Sequence, residues 1–150
     1  MSLNIGTHNF TTFIPEIAEY VRRNARPEVR MRAAVQSDAD KVLCDMHLLE
    51  TVLKNLLFNA ARYAKRDIRI SFNVRDGMNQ LFVDDDGPGI PDAERDKVFT
   101  RFYRLNRDQS RVGSGLGLAI VQSLAATLNA EISISAGPNR RGLRVRVTWA

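Results

Sequence analysis

The stretch at residues 45–64, DMHLLETVLKNLLFNAARYA, decides the fold because it has the pattern of a long amphipathic helix. Its apolar residues recur at the three- and four-residue spacing of one helix face: Leu49, Val52, Leu53, Leu56, Leu57 and Ala60. At about 100° per residue, Asn55, Asn59 and Arg62 form a polar stripe within roughly 60° of arc. That stripe is either a solvated face or one wall of a binding site, and this helix alone favours the solvated face.

The composition indicates one domain that can bury a two-layer core. The chain has 150 residues, and its single cysteine, Cys44, excludes an internal disulfide and favours a reducing compartment. No run of about 18 apolar residues could span a membrane, and the start, MSLNIG, has no signal-peptide pattern. The formal net charge of +5 favours an anionic partner, whether nucleic acid, phosphate or acidic protein.

The remaining patterns predict two more helices and at least five strands. Helices are expected from Thr11 or Thr12 to Asn24, with Pro15 in the first turn, and over residues 116–128. Strands are expected at residues 5–10, 29–35, 42–44, 131–136 and 143–149, and as a hairpin of residues 67–74 and 80–84. The hairpins favour a mostly antiparallel sheet with helices on one face, so the fold class is α+β, a two-layer α/β sandwich.

An acidic, glycine-rich turn follows the central hairpin: Asp85-Asp86-Gly87-Pro88-Gly89-Ile90-Pro91. Two glycines around a proline make a sharp turn with little bulk, so a flat ligand could approach the backbone. A carboxylate just before the turn can accept a hydrogen bond from an exocyclic amine. An ordinary acidic turn explains these residues equally well.

A second glycine-rich motif, Gly113-Ser114-Gly115-Leu116-Gly117-Leu118, precedes the last predicted helix. Backbone N–H groups at a helix start carry the positive end of the helix dipole and bind phosphate. No Gly-Lys-Ser/Thr follows, so the motif is not a P-loop, and it fits a dinucleotide fingerprint poorly. Alone it is a weak indication of phosphate binding.

Residues 97–111 contain five basic residues against one acid, with interleaved aromatic residues. Such a segment could bind single-stranded nucleic acid or form a lid over a polyphosphate. Its place directly before the second glycine-rich motif favours the lid. The other basic cluster is predicted to be the solvated side of an edge strand: Arg140, Arg141, Arg144 and Arg146.

Four motifs, in this order, resemble the N, G1, F and G2 boxes of sensor histidine kinases. They are NLLFNAARY at residues 55–63, DDGPGIP at 85–91, VFTRFYR at 98–104 and GSGLGLAIV at 113–121. The chain thus resembles, from about Phe10 to Trp149, the catalytic ATP-binding domain of a bacterial two-component sensor kinase of the GHKL superfamily. The resemblance implies a single domain with the Bergerat fold, a mixed sheet of about five strands backed by three helices.

The resemblance also implies ATP and Mg²⁺ as ligands. Asn59 would give its amide oxygen to Mg²⁺, assisted by Asn55, and Asp85 would accept from the adenine amine. Arg104, together with Arg107, would stabilise charge on the γ-phosphate, which makes Asn55, Asn59 and Arg104 the implied catalytic set. The rest of the implied ATP site consists of Arg62, Tyr63, Gly87, Gly89, Ile90, Phe102, Gly113, Gly115, Leu116, Gly117 and Leu118.

One element of the family is missing from the sequence, because neither His8 nor His47 precedes an acidic residue as the phosphoacceptor histidine does. The resemblance therefore implies a fragment whose dimerisation hairpin and membrane sensor would lie N-terminal to Met1. The fragment would present the γ-phosphate of Mg·ATP to a histidine on that hairpin, in a pathway with a cognate response regulator. It would be cytoplasmic and monomeric, with its parent in the inner membrane, and would contact neither nucleic acid nor membrane. It would not autophosphorylate alone.

The alternative is a stand-alone GHKL ATPase or an anti-sigma-type serine kinase. Such proteins typically place a glutamate four residues before the metal-binding asparagine, where it acts as general base. Here that position is Asn55, and an amide cannot take a proton. A nucleotide-sensing module without catalysis is a further, less favoured alternative.

Overall fold

The computed structural model describes residues 3–95, 97 and 117–150. Within these residues the helices are α1 (Phe10–Asn24), α2 (Met46–Tyr63) and α3 (Gly117–Thr127), with 3₁₀ turns at Asp92–Glu94 and Pro138–Arg140. The strands are β1 (Ile5–His8), β2 (Arg30–Val35), β3 (Val42–Asp45), β4 (Asp67–Arg75), β5 (Met78–Asp85), β6 (Glu131–Ala136) and β7 (Leu143–Trp149). No helix in this part of the chain combines the length and the hydrophobicity that a membrane crossing needs.

Five strands form one open sheet in the order β2-β4-β5-β7-β6, and β1 pairs separately with β3. Only β2 and β4 are parallel in the five-stranded sheet, because the connection between them runs through β3 and α2. The β4–β5 hairpin closes through Asp76 and Gly77, whose φ angles of 52° and 77° fit a two-residue turn of the I′ kind. The predicted mixed sheet, three helices and α+β class are confirmed.

The helices cover one face of the sheet, here called the inner face. All six apolar residues of the α2 stripe are buried there, as predicted: Leu49, Val52, Leu53, Leu56, Leu57 and Ala60. They face alternate residues of the central strands, among them Ile68, Ile70, Leu81 and Val83. The other face, here called the outer face, carries the intervening polar residues. The core therefore lies in a single layer between sheet and helices.

The predicted starts of α1 and α2 need correction. The N-cap of α1 is Asn9, whose side chain accepts a hydrogen bond from the Thr11 amide at 3.0 Å, rather than Thr11 or Thr12. Pro15 therefore lies inside α1 and not in its first turn. In the same way Asp45 caps α2 from outside, accepting from the Leu48 amide at 3.2 Å.

The prediction that the C-terminal arginines lie on an edge strand is wrong. β7 lies between β5 and β6, and the two edge strands of the sheet are β2 and β6. Arg144 and Arg146 belong to β7, whereas Arg140 and Arg141 lie in the connection that precedes it. An interior strand of a sheet with one open face has the same alternating pattern as an edge strand, so the sequence did not separate them.

Candidate functional site

Asp85 ends β5 and continues the inward row of that strand after Leu81 and Val83. Its partners in register, Ile68 on β4 and Leu143 on β7, are both buried. The apolar row on the inner face of β5 therefore ends in a carboxylate. The carboxylate accepts hydrogen bonds from the amides of Gly87, at 2.8 Å, and of Leu143.

Burial raises the pKa of Asp85 to about 6, although the amides of Gly87 and Leu143 act to lower it. The negative charges of Asp86 and Asp84 raise it further. In the described part of the chain no basic side chain is ion-paired with Asp85. A half-buried carboxylate that two amides only partly satisfy retains lone pairs for a ligand.

Three glycines let backbone segments meet around Asp85. A Cβ atom at Gly87 would overlap the carbonyl oxygen of Tyr63, and a Cβ at Gly142 would overlap the carbonyl oxygen of Asp85 itself. Gly89 and Gly142 have φ angles of +72° and +64°, and a Cβ at Gly89 would lie 2.8 Å from the Gly142 carbonyl oxygen. The end of α2, the acidic turn and the connection before β7 therefore converge on one carboxylate.

Asp86 fixes the position of this turn. Its carboxylate accepts from three consecutive amides after α2: Lys65 at 2.8 Å, Arg66 at 3.0 Å and Asp67 at 3.1 Å. Burial acts to raise the pKa of Asp86, but the amides together hold it below its usual value. The end of β5 is thereby tied to the end of α2, and this function was not predicted from the sequence.

The polar stripe of α2 approaches the same place. Tyr63 is the last residue of α2, and its carbonyl lies beside Gly87. Asn59 and Asn55 precede Tyr63 by four and eight residues, a rise of about 6 Å and about 12 Å along the helix axis. Both asparagines are half-buried, and the Asn55 amide donates to the Thr51 carbonyl at 2.8 Å. Arg62 is exposed on the last turn. The structure thus aligns Asn55, Asn59 and Tyr63 along one helix that ends at the acidic turn.

Two other predicted contacts lie on neighbouring elements. Ile90 packs partly against the core, and its carbonyl accepts from Arg95 Nε at 3.2 Å. Gly117 is the first described residue of α3, and Leu118 packs against the core. The other predicted site residues lie outside the described residues: Phe102, Arg104, Arg107, Gly113, Gly115 and Leu116.

Gly142 is a site residue that the sequence analysis missed. It adjoins Asp85 only because β7 pairs with β5, a pairing between segments almost sixty residues apart. A glycine directly before an alternating strand was the available signal. Among the described residues, no group of three or more His, Cys, Asp or Glu side chains could hold a metal ion.

Comparison with known proteins places the site in a family context. Residues 44–150 match the family of histidine kinase-, DNA gyrase B- and HSP90-like ATPases. The chain is 38% identical over 123 residues to the sensor protein RstB of Escherichia coli (strain K12), covering 81% of this chain and 28% of RstB. It is 36% identical over 129 residues to the sensor-like histidine kinase SenX3 of Mycolicibacterium smegmatis, covering 81% of this chain and 34% of SenX3. The chain thus spans about a third of the length of these relatives.

Solved structures share the fold over nearly the whole chain. The mycobacterial sensor histidine kinase MprB superposes with a TM-score of 0.80 at 28% identity, covering 98% of this chain and 96% of that one. The catalytic domain of the histidine kinase ThkA gives a TM-score of 0.82, with 97% of each chain covered, and at 21% identity it supports the fold alone. The expected Bergerat-type fold of histidine kinase catalytic domains is confirmed.

Proposed function

The chain belongs to the family of histidine kinase-, DNA gyrase B- and HSP90-like ATPases, and from this premise we propose that it is the ATP-binding catalytic domain of a bacterial sensor histidine kinase. The observation that carries the proposal is the environment of Asp85, a half-buried carboxylate that pairs with no cation among the described residues and lies beside a turn with little side-chain bulk. The similarity to RstB, SenX3 and MprB over most of this chain supports the kinase class.

Adenine would bind at Asp85, with its exocyclic amine donating to the carboxylate. Gly87 and Gly89 have no side chain that could block a flat ring, and their backbone packs directly against the carbonyls of Tyr63 and Gly142. Ile90 packs partly against the core next to this turn. Guanine carries an oxo group where adenine carries the amine, and two acceptors facing each other repel. The site would therefore select ATP over GTP.

The phosphates would extend from this site along α2 toward the start of α3. Asn59 would ligate Mg²⁺ through its amide oxygen, and Asn55 would bind the waters of the ion, with Arg62 nearby. An ion that keeps most of its waters and takes phosphate oxygens needs few protein ligands, so two half-buried carboxamides fit it. When bound, Mg²⁺ neutralises charge on the transferring phosphoryl group. Gly113, Gly115, Leu116, Gly117 and Leu118 would donate backbone N–H groups, and Arg104 and Arg107 would add charge from the lid.

The residues of this chain would position the γ-phosphate and stabilise its charge, while a histidine of the parent kinase supplies the attacking nitrogen. Asn55 argues against the stand-alone ATPase, since its amide cannot accept a proton and already donates to Thr51. The parent kinase would contain a dimerisation hairpin and would act on a cognate response regulator. It would lie in the inner membrane, with this domain in the cytoplasm.

The magnesium assignment is tested by Asn59→Asp, which keeps an oxygen ligand but adds a negative charge beside three phosphates. We expect calorimetry to show affinity for Mg·ATP reduced by about tenfold or more, since like charges repel strongly in a partly desolvated site. The matched control is Asn73→Asp, the same change on the outer face of the sheet. Equal affinities for the wild type and Asn59→Asp would contradict the assignment.

The kinase assignment is tested by mixing the chain with the separately produced hairpin of its parent and radiolabelled ATP. We expect slow labelling of the hairpin, because the covalent linkage that supplies effective concentration is missing. A hairpin whose acceptor histidine is replaced by glutamine should stay unlabelled, and phosphate release by the chain alone should be very slow. Rapid phosphate release that survives Asn55→Ala, with no labelled histidine, would favour the stand-alone ATPase instead.

A further inference from the structure

The outer face of the five-stranded sheet carries arginines on three strands. Arg32 on β2 lies opposite Arg69 on β4, and Arg69 lies opposite Asp84 on β5, which in turn lies opposite Arg144 on β7. Arg146 is two residues further along β7, opposite Phe82. Because the helices pack on the inner face, this row of arginines faces solvent.

Only one of these arginines is neutralised at short range. Arg144 donates to Asp84 through Nε at 2.7 Å and Nη2 at 3.0 Å, and its guanidinium lies 4.6 Å from the Phe82 ring centroid. In the described part of the chain no carboxylate lies within 4.0 Å of Arg32, Arg69 or Arg146. Like charges directly opposite each other destabilise a sheet, so Arg32 beside Arg69 has no structural benefit. The uncompensated charge indicates an anionic partner.

A groove of about 510 Å³ crosses this face along β4 and β5. Arg69 and Arg144 lie at one end, Arg75 lies at the other, and the opposed carboxamides of Asn73 and Gln80 lie between them. From Arg69 to Arg75 a strand spans roughly 20 Å, the length of about six extended residues. The groove is thus long and open, with cations at its ends and amides in its middle.

We propose that this outer groove binds an acidic, extended segment of a partner protein. Carboxylates of the segment would pair with Arg69 and Arg75, since a guanidinium fork matches a carboxylate with two parallel hydrogen bonds. Asn73 and Gln80 would hydrogen-bond the peptide backbone between those carboxylates, because each carboxamide both donates and accepts.

Single-stranded nucleic acid fits the groove less well. Such ligands are held by exposed aromatic rings on which bases stack. The ring in the groove, Phe82, is half-buried and already has Arg144 over it. An acidic polypeptide needs no stacking surface and uses the guanidinium and carboxamide groups that are present.

The outer groove is independent of the proposed nucleotide site. Asp85 faces the helices on the inner face, whereas its neighbour Asp84 lies on the outer face and Phe82 lines the groove. A partner could therefore occupy the groove with or without nucleotide bound. Experiments without nucleotide test this proposal separately from the proposed kinase function.

The test is an amide-shift titration of the isotopically labelled chain with a short capped peptide of alternating glutamate and alanine. In an extended segment this alternation puts every glutamate on one side. We expect saturable shifts confined to β4, β5 and β7. A neutral peptide with glutamine in place of glutamate should produce none, and an oligothymidine of equal charge should bind more weakly.

The test variant and its control are double variants that each remove two positive charges, one pair inside the groove and one pair outside it. Arg69→Gln/Arg75→Gln should weaken binding of the peptide about tenfold. Arg22→Gln/Arg23→Gln, on the exposed side of α1, should change the peptide affinity less than about twofold. Arg69→Lys/Arg75→Lys keeps the positive charges but loses the bidentate hydrogen bonds of the guanidinium groups, so it should weaken binding of the peptide by about threefold. Shifts scattered over both faces, equal losses in the two glutamine variants, or tighter binding of the oligothymidine would each overturn the proposal.

Discussion

Asp84 and Asp85 are neighbours on β5, yet they project to opposite faces of the sheet and meet opposite electrostatic conditions. On the outer face, Asp84 is buried under Arg144, which donates two hydrogen bonds to it. On the inner face, the donors to Asp85 among the described residues are the amides of Gly87 and Leu143, and burial raises its pKa to about 6. Within the part of the chain that the structure describes, the same residue type is thus paired with a cation on one face and unpaired on the other.

The difference shows which carboxylate is available to a ligand. Asp84 has its charge balanced and its oxygens occupied, so its function is to hold Arg144 in the sheet. Asp85 lowers the stability of the fold, because a partly desolvated charge without a counter-ion is unfavourable. Residues of that kind cluster at functional sites, where binding a ligand offsets the unfavourable charge.

Gly142→Ala should have the largest effect on the inner site. The new Cβ would overlap the Asp85 carbonyl oxygen at a φ of +64°, so we expect a loss of about 3 kcal/mol or more of unfolding free energy. Gly77→Ala is the matched control, with a φ of +77° but no atom within 4 Å, and should lose only about 1 kcal/mol. Urea denaturation measures both. Equal losses would mean that the contact with Asp85 is easily relieved.

Asp85→Asn should change stability in a pH-dependent way. The carboxyl ionises at about 6 in the fold but near its ordinary value of 3.8 when unfolded, so the wild type loses stability as the pH rises between these values. The total loss is roughly 2 to 3 kcal/mol, since each pKa unit corresponds to about 1.4 kcal/mol. The variant has no such charge, so its stability relative to the wild type should increase by that amount from pH about 4 to pH about 8.

Urea unfolding of the wild type and Asp85→Asn at both pH values measures this difference. Asp38→Asn, which changes an exposed aspartate outside the site, serves as the control and should leave the pH dependence of the wild type intact. A difference between Asp85→Asn and the wild type that does not vary with pH would contradict the unpaired state of Asp85.

Asp84→Ala tests the ion pair of Asp84 with Arg144 on the outer face. Arg144 would lose both hydrogen bonds but is 35% exposed, so water compensates in part and we expect a loss of about 1 to 2 kcal/mol. Arg30→Ala, which breaks the exposed pair with Asp67 on the same face, should change stability by less than about 0.5 kcal/mol. Nucleotide affinity measured by calorimetry should stay unchanged in both variants. Loss of nucleotide binding in Asp84→Ala would show that the two faces are not independent.

Ionic strength should have the smallest of these effects, and it should act on the affinity for ATP. Phosphate binding by lid arginines and backbone dipoles weakens as ionic strength rises, so we expect ATP affinity to fall by a few-fold between about 0.05 and 0.5 M salt. Fluorescence anisotropy of a labelled ATP analogue measures this change. An affinity that stays constant with salt would count against Arg104 and Arg107.

The sequence predicted the architecture well because hydrophobic periodicity determines it. The buried stripe of α2 and the β4–β5 hairpin follow from residue spacing alone, and both are observed. The start of α1 was misplaced because Asn9, Thr11 and Thr12 can all cap a helix, and only tertiary structure selects among them. The edge position of β7 was wrong for a related reason, since strand order depends on contacts between distant segments.

The site was predicted less completely. Asp85 was singled out by its motif, but three consecutive aspartates give no local sign that Asp84 pairs with Arg144 and Asp86 accepts three amides. Those partners come from β7 and from the end of α2, far away in the sequence. Gly142 was missed for the same reason. The predicted functions of Phe102, Arg104, Arg107, Gly113, Gly115 and Leu116 remain predictions, because these residues lie outside the described part of the chain.

The central claim is that the Asp85 carboxylate recognises adenine by accepting a hydrogen bond from its exocyclic amine. One calorimetric measurement tests this claim most directly. Mg·ATP and Mg·GTP are titrated at neutral pH into the wild type and Asp85→Asn. We expect the wild type to bind ATP at least about tenfold more tightly than GTP, because Asp85 makes a charge-assisted hydrogen bond to the amine. We expect Asp85→Asn to lose most of this preference while remaining folded. Equal binding of ATP and GTP by the wild type, or an unchanged preference in Asp85→Asn, would contradict the account.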